Sequence, residues 1–262
     1  MKKAIVTCFI SCIFASLVFS QNGGGSFLKR VEYNILIQGD TSEQNPNRKG
    51  LYNLSSKGDV EKLFFGDFNA PVEFFFNPSS ESVPLKGPTS GFRIMRDSLD
   101  KSCILEVKFI SNYKEADEAA SAKYPSIGIP VLDAFRLSED SINKIAEYNR
   151  ATYTKQSEER IKLYKVETLS FFISDQFAEK MHEKMTSVIN NFKAKGILPI
   201  INDSFSVTFR TVVDDEVWTL TIHAPKGDIV KMSDLCRQIV ADAKNNQLDE
   251  QKYISALAAL EN

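Results

Sequence analysis

Two histidines, His182 and His223, carry all the imidazole chemistry open to this 262-residue chain. His223 closes a run that alternates apolar and polar residues from Trp218 onward. Pairing that run as a hairpin with the alternating run before it sets His223 opposite Ser206. A hydrolase built there would use Ser206 as nucleophile, His223 as base and Asp203 or Asp228 as the acid that orients the imidazole. A serine in a regular hairpin has neither the strained elbow nor the oxyanion donors this chemistry needs. A polar sheet face accounts better for the same residues. Asp214-Asp215-Glu216 gathers three acids, but neighbours at a turn tip cannot flank a glycosidic bond from opposite sides. His182 lies on the flank of an amphipathic helix with Glu179 one turn back, the pattern of a boundary histidine paired to a carboxylate.

The thiols are equally unpromising as reagents. Of four cysteines, Cys8 and Cys12 fall in an apolar leader. Cys103 alternates with Leu105, Val107 and Phe109, and Cys236 shares a helical face with Ile239, Val240 and Ala243. Both read as small buried hydrophobes, with a Cys103–Cys236 disulfide as the alternative in an oxidising compartment. Two such cysteines and two histidines without short spacing make no zinc site. The polar loop from Asp40 fails as a calcium loop, having Asn45 and Leu51 where glycine and glutamate are required. Phosphate-cradling glycine motifs, a nucleophile elbow and a His-Glu-x-x-His pair are all missing. No catalytic residue, metal or cofactor is therefore expected.

Binding remains. If Asp214-Asp215 is a two-residue turn, Phe209 faces Leu220, Val207 faces Ile222 and Thr211 faces Trp218 on one mainly apolar side. The other side carries Ser206 with His223, Thr208 with Thr221, and Arg210 with Thr219. A one-residue slip would set Trp218 opposite Arg210 and mix the faces, so the alternation selects this register. Ser206, Thr208, Arg210, Thr219, Thr221 and His223 are thus the candidate binding face, with Arg210 offering a planar donor fork to a carboxylate or phosphate. As a solvated face, it should tolerate Arg210→Ala and Thr219→Ala at about 0.5 kcal/mol each.

The elements that must hold this face follow from periodicity. Strands are expected at 30–38, 72–76, 92–96, 103–110, 166–173, 205–213 and 216–223. Helices are expected at 55–65, capped by Ser55 or Ser56, and at 113–123. Further helices are expected from Ser138 to about residue 162, from Ser174 to a Gly196 cap, from a Ser233 cap, and from Asp249. The fold class is α+β, with antiparallel β-hairpins packed on amphipathic helices. Two similar lobes are joined by a polar helix: an N-terminal lobe at 21–137, the bridging helix at 138–162 and a C-terminal lobe at 163–262. Residues 1–20 are set apart as a signal peptide.

That leader has Lys2 and Lys3, an apolar stretch from Ala4 to Phe19, and small Ser20 before Gln21. The apolar core is short of the roughly 20 residues a membrane span needs, and no later segment approaches that length. Cleavage after Ser20 would leave 30 basic against 34 acidic residues, a net charge of −4. Such a chain has no bulk attraction for nucleic acid. An acylated Cys12 would cut the apolar core short, so a lipoprotein form is not expected. The protein is expected to be exported, periplasmic or extracellular.

Three blocks, Glu106-Val107-Lys108-Phe109-Ile110-Ser111-Asn112-Tyr113-Lys114-Glu115-Ala116, Ser206-Val207-Thr208-Phe209-Arg210-Thr211 and Lys231-Met232-Ser233-Asp234-Leu235-Cys236-Arg237-Gln238, resemble an uncharacterised family of secreted proteins from Bacteroidales-type gut bacteria. The resemblance implies export from a Gram-negative cell and brings no activity or site residue. The expected function is a non-enzymatic binding or accessory protein of the cell envelope, its partner an envelope protein or a small molecule. A secreted hydrolase of peptides or glycans is the alternative.

Overall fold

The hairpin register follows the expected alternation residue for residue. In the computed structural model, strand β6 (Phe205–Val213) pairs antiparallel with β7 (Glu216–His223), Phe209 facing Leu220 and Arg210 facing Thr219. Residues 30–35, 57–66, 69–78, 88–97, 101–129, 137–192, 205–213, 216–223, 225 and 227–260 are described. The leader, Gly196, Asp203, Asp214 and Asp215 lie outside them.

Five more strands extend this hairpin into one sheet. They are β1 (Arg30–Ile35), β2 (Val72–Pro78), β3 (Ser90–Arg96), β4 (Cys103–Ile110) and β5 (Val166–Ile173), in the order β1-β7-β6-β2-β3-β4-β5. All neighbours are antiparallel except β1, which runs parallel to β7 at one edge. The class is α+β. Strand β2 sits between β6 and β3, so segments 21–137 and 163–262 build one sheet and share its core.

Alternation sorts the side chains into two faces. Phe74, Phe92, Leu105, Val107, Val207, Phe209 and Leu220 point to one face and are fully buried. There they meet α4 (Asp175–Asn191), α5 (Asp228–Lys244) and α6 (Glu250–Ala259), through Phe177, Met181, Met185, Met232, Ile239, Tyr253 and Leu257. Ser174 caps α4 by accepting from the Phe177 N–H, and Asp249 caps α6 by accepting from the Lys252 N–H. Helix α5 begins at Gly227 rather than at Ser233, because its buried stripe reaches back through Met232 to Ile229. Ser233 is an interior residue with a buried hydroxyl.

The opposite face is covered in part by a short helix, α1 (Asp59–Phe65), whose N-cap is Gly58. Phe64 and Phe65 pack there with Phe75 and Ile110 in a second, smaller apolar cluster. Gly91 of β3 makes this approach possible. A Cβ on it would lie 2.4 Å from the Phe74 carbonyl oxygen and 3.1 Å from the Phe65 ring. Lys108 donates to the Phe64 carbonyl at 2.6 Å and Arg93 to the Phe65 carbonyl at 3.3 Å. These cations satisfy carbonyls that the end of a helix leaves free.

The long polar helix does not bridge two lobes. Helices α2 (Tyr113–Lys123) and α3 (Glu139–Leu163) form the excursion between adjacent strands β4 and β5, and α3 packs along α2. Buried Thr152 and Gln156 mark the contact stripe. Gln156 donates to the Tyr124 carbonyl at 2.6 Å, Arg160 pairs with Asp117 at 2.8 Å and Lys123 with Glu159 at 2.7 Å. Polar contacts of this kind replace an apolar stripe, which is why the sequence of α3 looks solvated on every side.

Candidate functional site

The backbone register of the face singled out from the sequence is the expected one, but the centre of that face is not open to solvent. Thr208, Arg210 and Thr219 are 6%, 4% and 7% exposed, and Ser206 and Thr221 are half-buried. The His223 backbone lies opposite Ser206. Arg210 spends its donor fork on the protein itself. It donates to Glu73 at 2.6 Å, to Glu61 of α1, and through Nε to Thr219 at 3.2 Å. Glu73 also accepts from Lys57 at 3.0 Å and from the Ala70 N–H at 2.8 Å.

Two cations and two carboxylates thus close a neutral cluster under α1. Burial alone would lower the Arg210 pKa, but Glu61 and Glu73 outweigh it and hold the guanidinium above its ordinary value. Burial dominates at Lys57, whose pKa falls despite Glu73. The expected exposure of this face is therefore corrected. A salt-bridged arginine reads as solvent-facing in one dimension, and its partners come from a helix and a strand more than 130 residues away.

The proposed hydrolytic constellation does not gain a full set among the described residues. Asp228 opens α5 and pairs with Lys231 at 3.0 Å. His182 is half-buried, and its Nε2 lies 2.9 Å from the Val212 carbonyl oxygen. A carbonyl only accepts, so Nε2 carries the proton and donates. Backbone Val212, rather than Glu179, is therefore the partner of this imidazole.

A cleft of about 330 Å³ opens beside this histidine, between α4 and the ends of β2, β3 and β4. Val72, Ile94 and Ala178 give it apolar walls; Arg96, Glu179, His182 and Glu183 supply polar groups, and Cys103 lines it too. Helical spacing explains the rim, since Asp175, Glu179 and Glu183 follow one another at four-residue steps along α4. Arg96 pairs with Asp175 at 2.9 Å and approaches Glu179 at 3.9 Å. The Cys103 thiol donates to Asp175 at 3.2 Å.

Burial and this last bond act together on the thiol. Burial, then the hydrogen bond to Asp175, pushes the Cys103 pKa up to about 11. Asp175 shifts the opposite way, its carboxylate favoured by the Cys103 thiol and by Arg96. A protonated thiol is no nucleophile. Cys103 and Cys236 are both free and buried, as expected of small core residues. Among the described residues, no group of three or more His, Cys, Asp or Glu side chains is placed to hold a metal.

The cleft was not read from the sequence. Its walls come from four elements, and Cys103 and Asp175 are 72 residues apart. The one legible signal was the i, i+4, i+8 acidic row beside His182. Comparison with protein-family models, with curated proteins and with solved structures finds no match to this chain.

Proposed function

We propose that this chain is an exported, non-enzymatic binding protein whose ligand site is the cleft between α4 and the sheet. The observation that carries the reading is the pairing of an apolar wall with an acidic rim around a thiol held protonated. Two lining carboxylates, Glu179 and Glu183, stand beside one lining guanidinium, Arg96, which Asp175 already pairs at 2.9 Å, while Glu183 also meets Lys180 at 2.8 Å. A small molecule with an apolar body and a cationic or hydrogen-bond-donating head matches that lining, and a volume of about 330 Å³ is at the small end of ligand pockets. Export is supported by the basic start, the apolar stretch and Ser20 before Gln21. Within the described residues, no helix is long and apolar enough to cross a membrane.

Calorimetry with a series of primary alkylamines and the matching alkyl carboxylates tests the ligand class. The amines should bind, and the double variant Glu179→Gln with Glu183→Gln should weaken them about tenfold. Equal binding of both series, or of neither, would overturn the reading. Mass spectrometry of the natively expressed protein tests export: an N-terminus at or near Gln21 is expected, and an intact Met1 or a lipid on Cys12 would overturn it.

A further inference from the structure

We propose that the β5 edge of the sheet pairs with the β5 edge of a second copy of this chain. Among the described residues β5 is the last strand on its side, bonded only to β4. Its outer backbone donors and acceptors therefore form a template for another strand. Natural edges are usually blunted by proline, lysine, a bulge or a short length. Val166–Ile173 is eight residues long, holds no proline, glycine or lysine, and carries one charge, Glu167. Phe172 is 78% exposed, the most exposed of the large hydrophobic side chains described.

The strand is complementary to itself when two copies run antiparallel about Ser170. In that register Leu169 lies opposite Phe171 of the other copy, Thr168 opposite Phe172, and Glu167 opposite Ile173. The first pairing joins half-buried apolar residues on the helix-covered face. The second places an aromatic ring against a β-branched residue, a favourable cross-strand pair. No like charges face one another. Because residue 170 pairs with itself, each face of one sheet continues as the same face of the next, and the two-fold interface closes.

Light scattering across a concentration series should give twice the chain mass. Phe172→Lys, at an exposed site, should shift the equilibrium toward monomer by at least about tenfold with its circular dichroism unchanged. Ser170→Cys reads the register. Two such cysteines would face one another at cross-strand distance and link under mild oxidation, with the wild-type chain as the control for native thiols. Glu167→Cys should not link, being displaced along the strand from its own copy. A monomer at every concentration would overturn the proposal. So would a dimer that ignores Phe172→Lys, or one that Ser170→Cys fails to link.

Discussion

Glu73 of β2 and Arg210 of β6 face one another across the sheet and are joined at 2.6 Å, with side chains only 1% and 5% exposed. Their pairing bridges the first and second halves of the chain in the one layer that both build. It also explains why α1 can lie over a polar face. Glu61 completes the cluster from the helix side, so seating α1 buries an ion pair that the sheet alone would leave exposed.

Removing Arg210 leaves two buried carboxylates opposed only by Lys57. Arg210→Ala should therefore cost about 3–5 kcal/mol in denaturant unfolding, as for other broken buried pairs. Thr219→Ala loses one hydrogen bond to the guanidinium and should cost about 1–2 kcal/mol. A cost near 0.5 kcal/mol for Arg210→Ala, the figure for an exposed site, would mean that α1 does not cover this face.

Gly91 is held by space. Its backbone passes so close to Phe74 that an added Cβ meets a carbonyl oxygen at 2.4 Å. Because main chain cannot swing away as a side chain can, Gly91→Ala should destabilise by about 2 kcal/mol or more. Loss of the α1 contacts should accompany it, visible as faster amide exchange across residues 59–65.

The Cys103 thiol should resist alkylation at pH 8 in the folded chain and react once the chain is unfolded. Its folded pKa, about 11, lies above the usual thiol value of about 8.5. The sign follows directly. The folded state holds the proton more tightly, so this contribution to stability is complete below about pH 8.5 and is lost as pH rises through 11. Denaturant midpoints measured from pH 8 to 11 should fall more steeply for the wild type than for Cys103→Ala.

Two substitutions in the helical layer should act in opposite directions. Asp242 accepts from Tyr253, from Lys252 at 2.7 Å and from Gln238 at 2.6 Å. Burial opposes its charge, but these donors outweigh burial and hold the carboxylate below its usual range. Tyr253→Phe removes one donor to a charged acceptor and should lower stability by about 1.5–3 kcal/mol. Ser233 has a buried hydroxyl with no hydrogen-bond partner among the described groups. Ser233→Ala relieves that burden in a helix interior and should raise stability by about 0.5–1 kcal/mol. Thermal unfolding of the two variants beside the wild type reads both signs.

Much of the local structure was legible because it depends on near neighbours. Ser138, Ser174 and Asp249 cap the helices they were expected to cap, since an N-cap needs only its own side chain and a backbone N–H three residues on. Ser233 misled for the same reason: a serine two residues before Leu235 looks like a cap, and only the burial of Ile229 and Met232 carries the helix further back. The cleft had no local signature beyond the acidic row on α4, because its thiol and its carboxylate meet only after the sheet has formed.

Near-neighbour patterning carries the class, the strands, the helices apart from the starts of α1 and α5, and the β6–β7 register, because a two-residue period allows one alignment that keeps apolar side chains together. Contacts distant in the chain set the rest: β2 inserts beside β6, α3 packs on α2, and Thr208, Arg210 and Thr219 on the polar side of the hairpin are buried. Alternation separates apolar from polar side chains, and burial usually follows that division. It fails where a charge is buried beside its opposite. Whether Arg210 faces water or Glu61 and Glu73 depends on residues that only the folded chain brings within 3 Å of it.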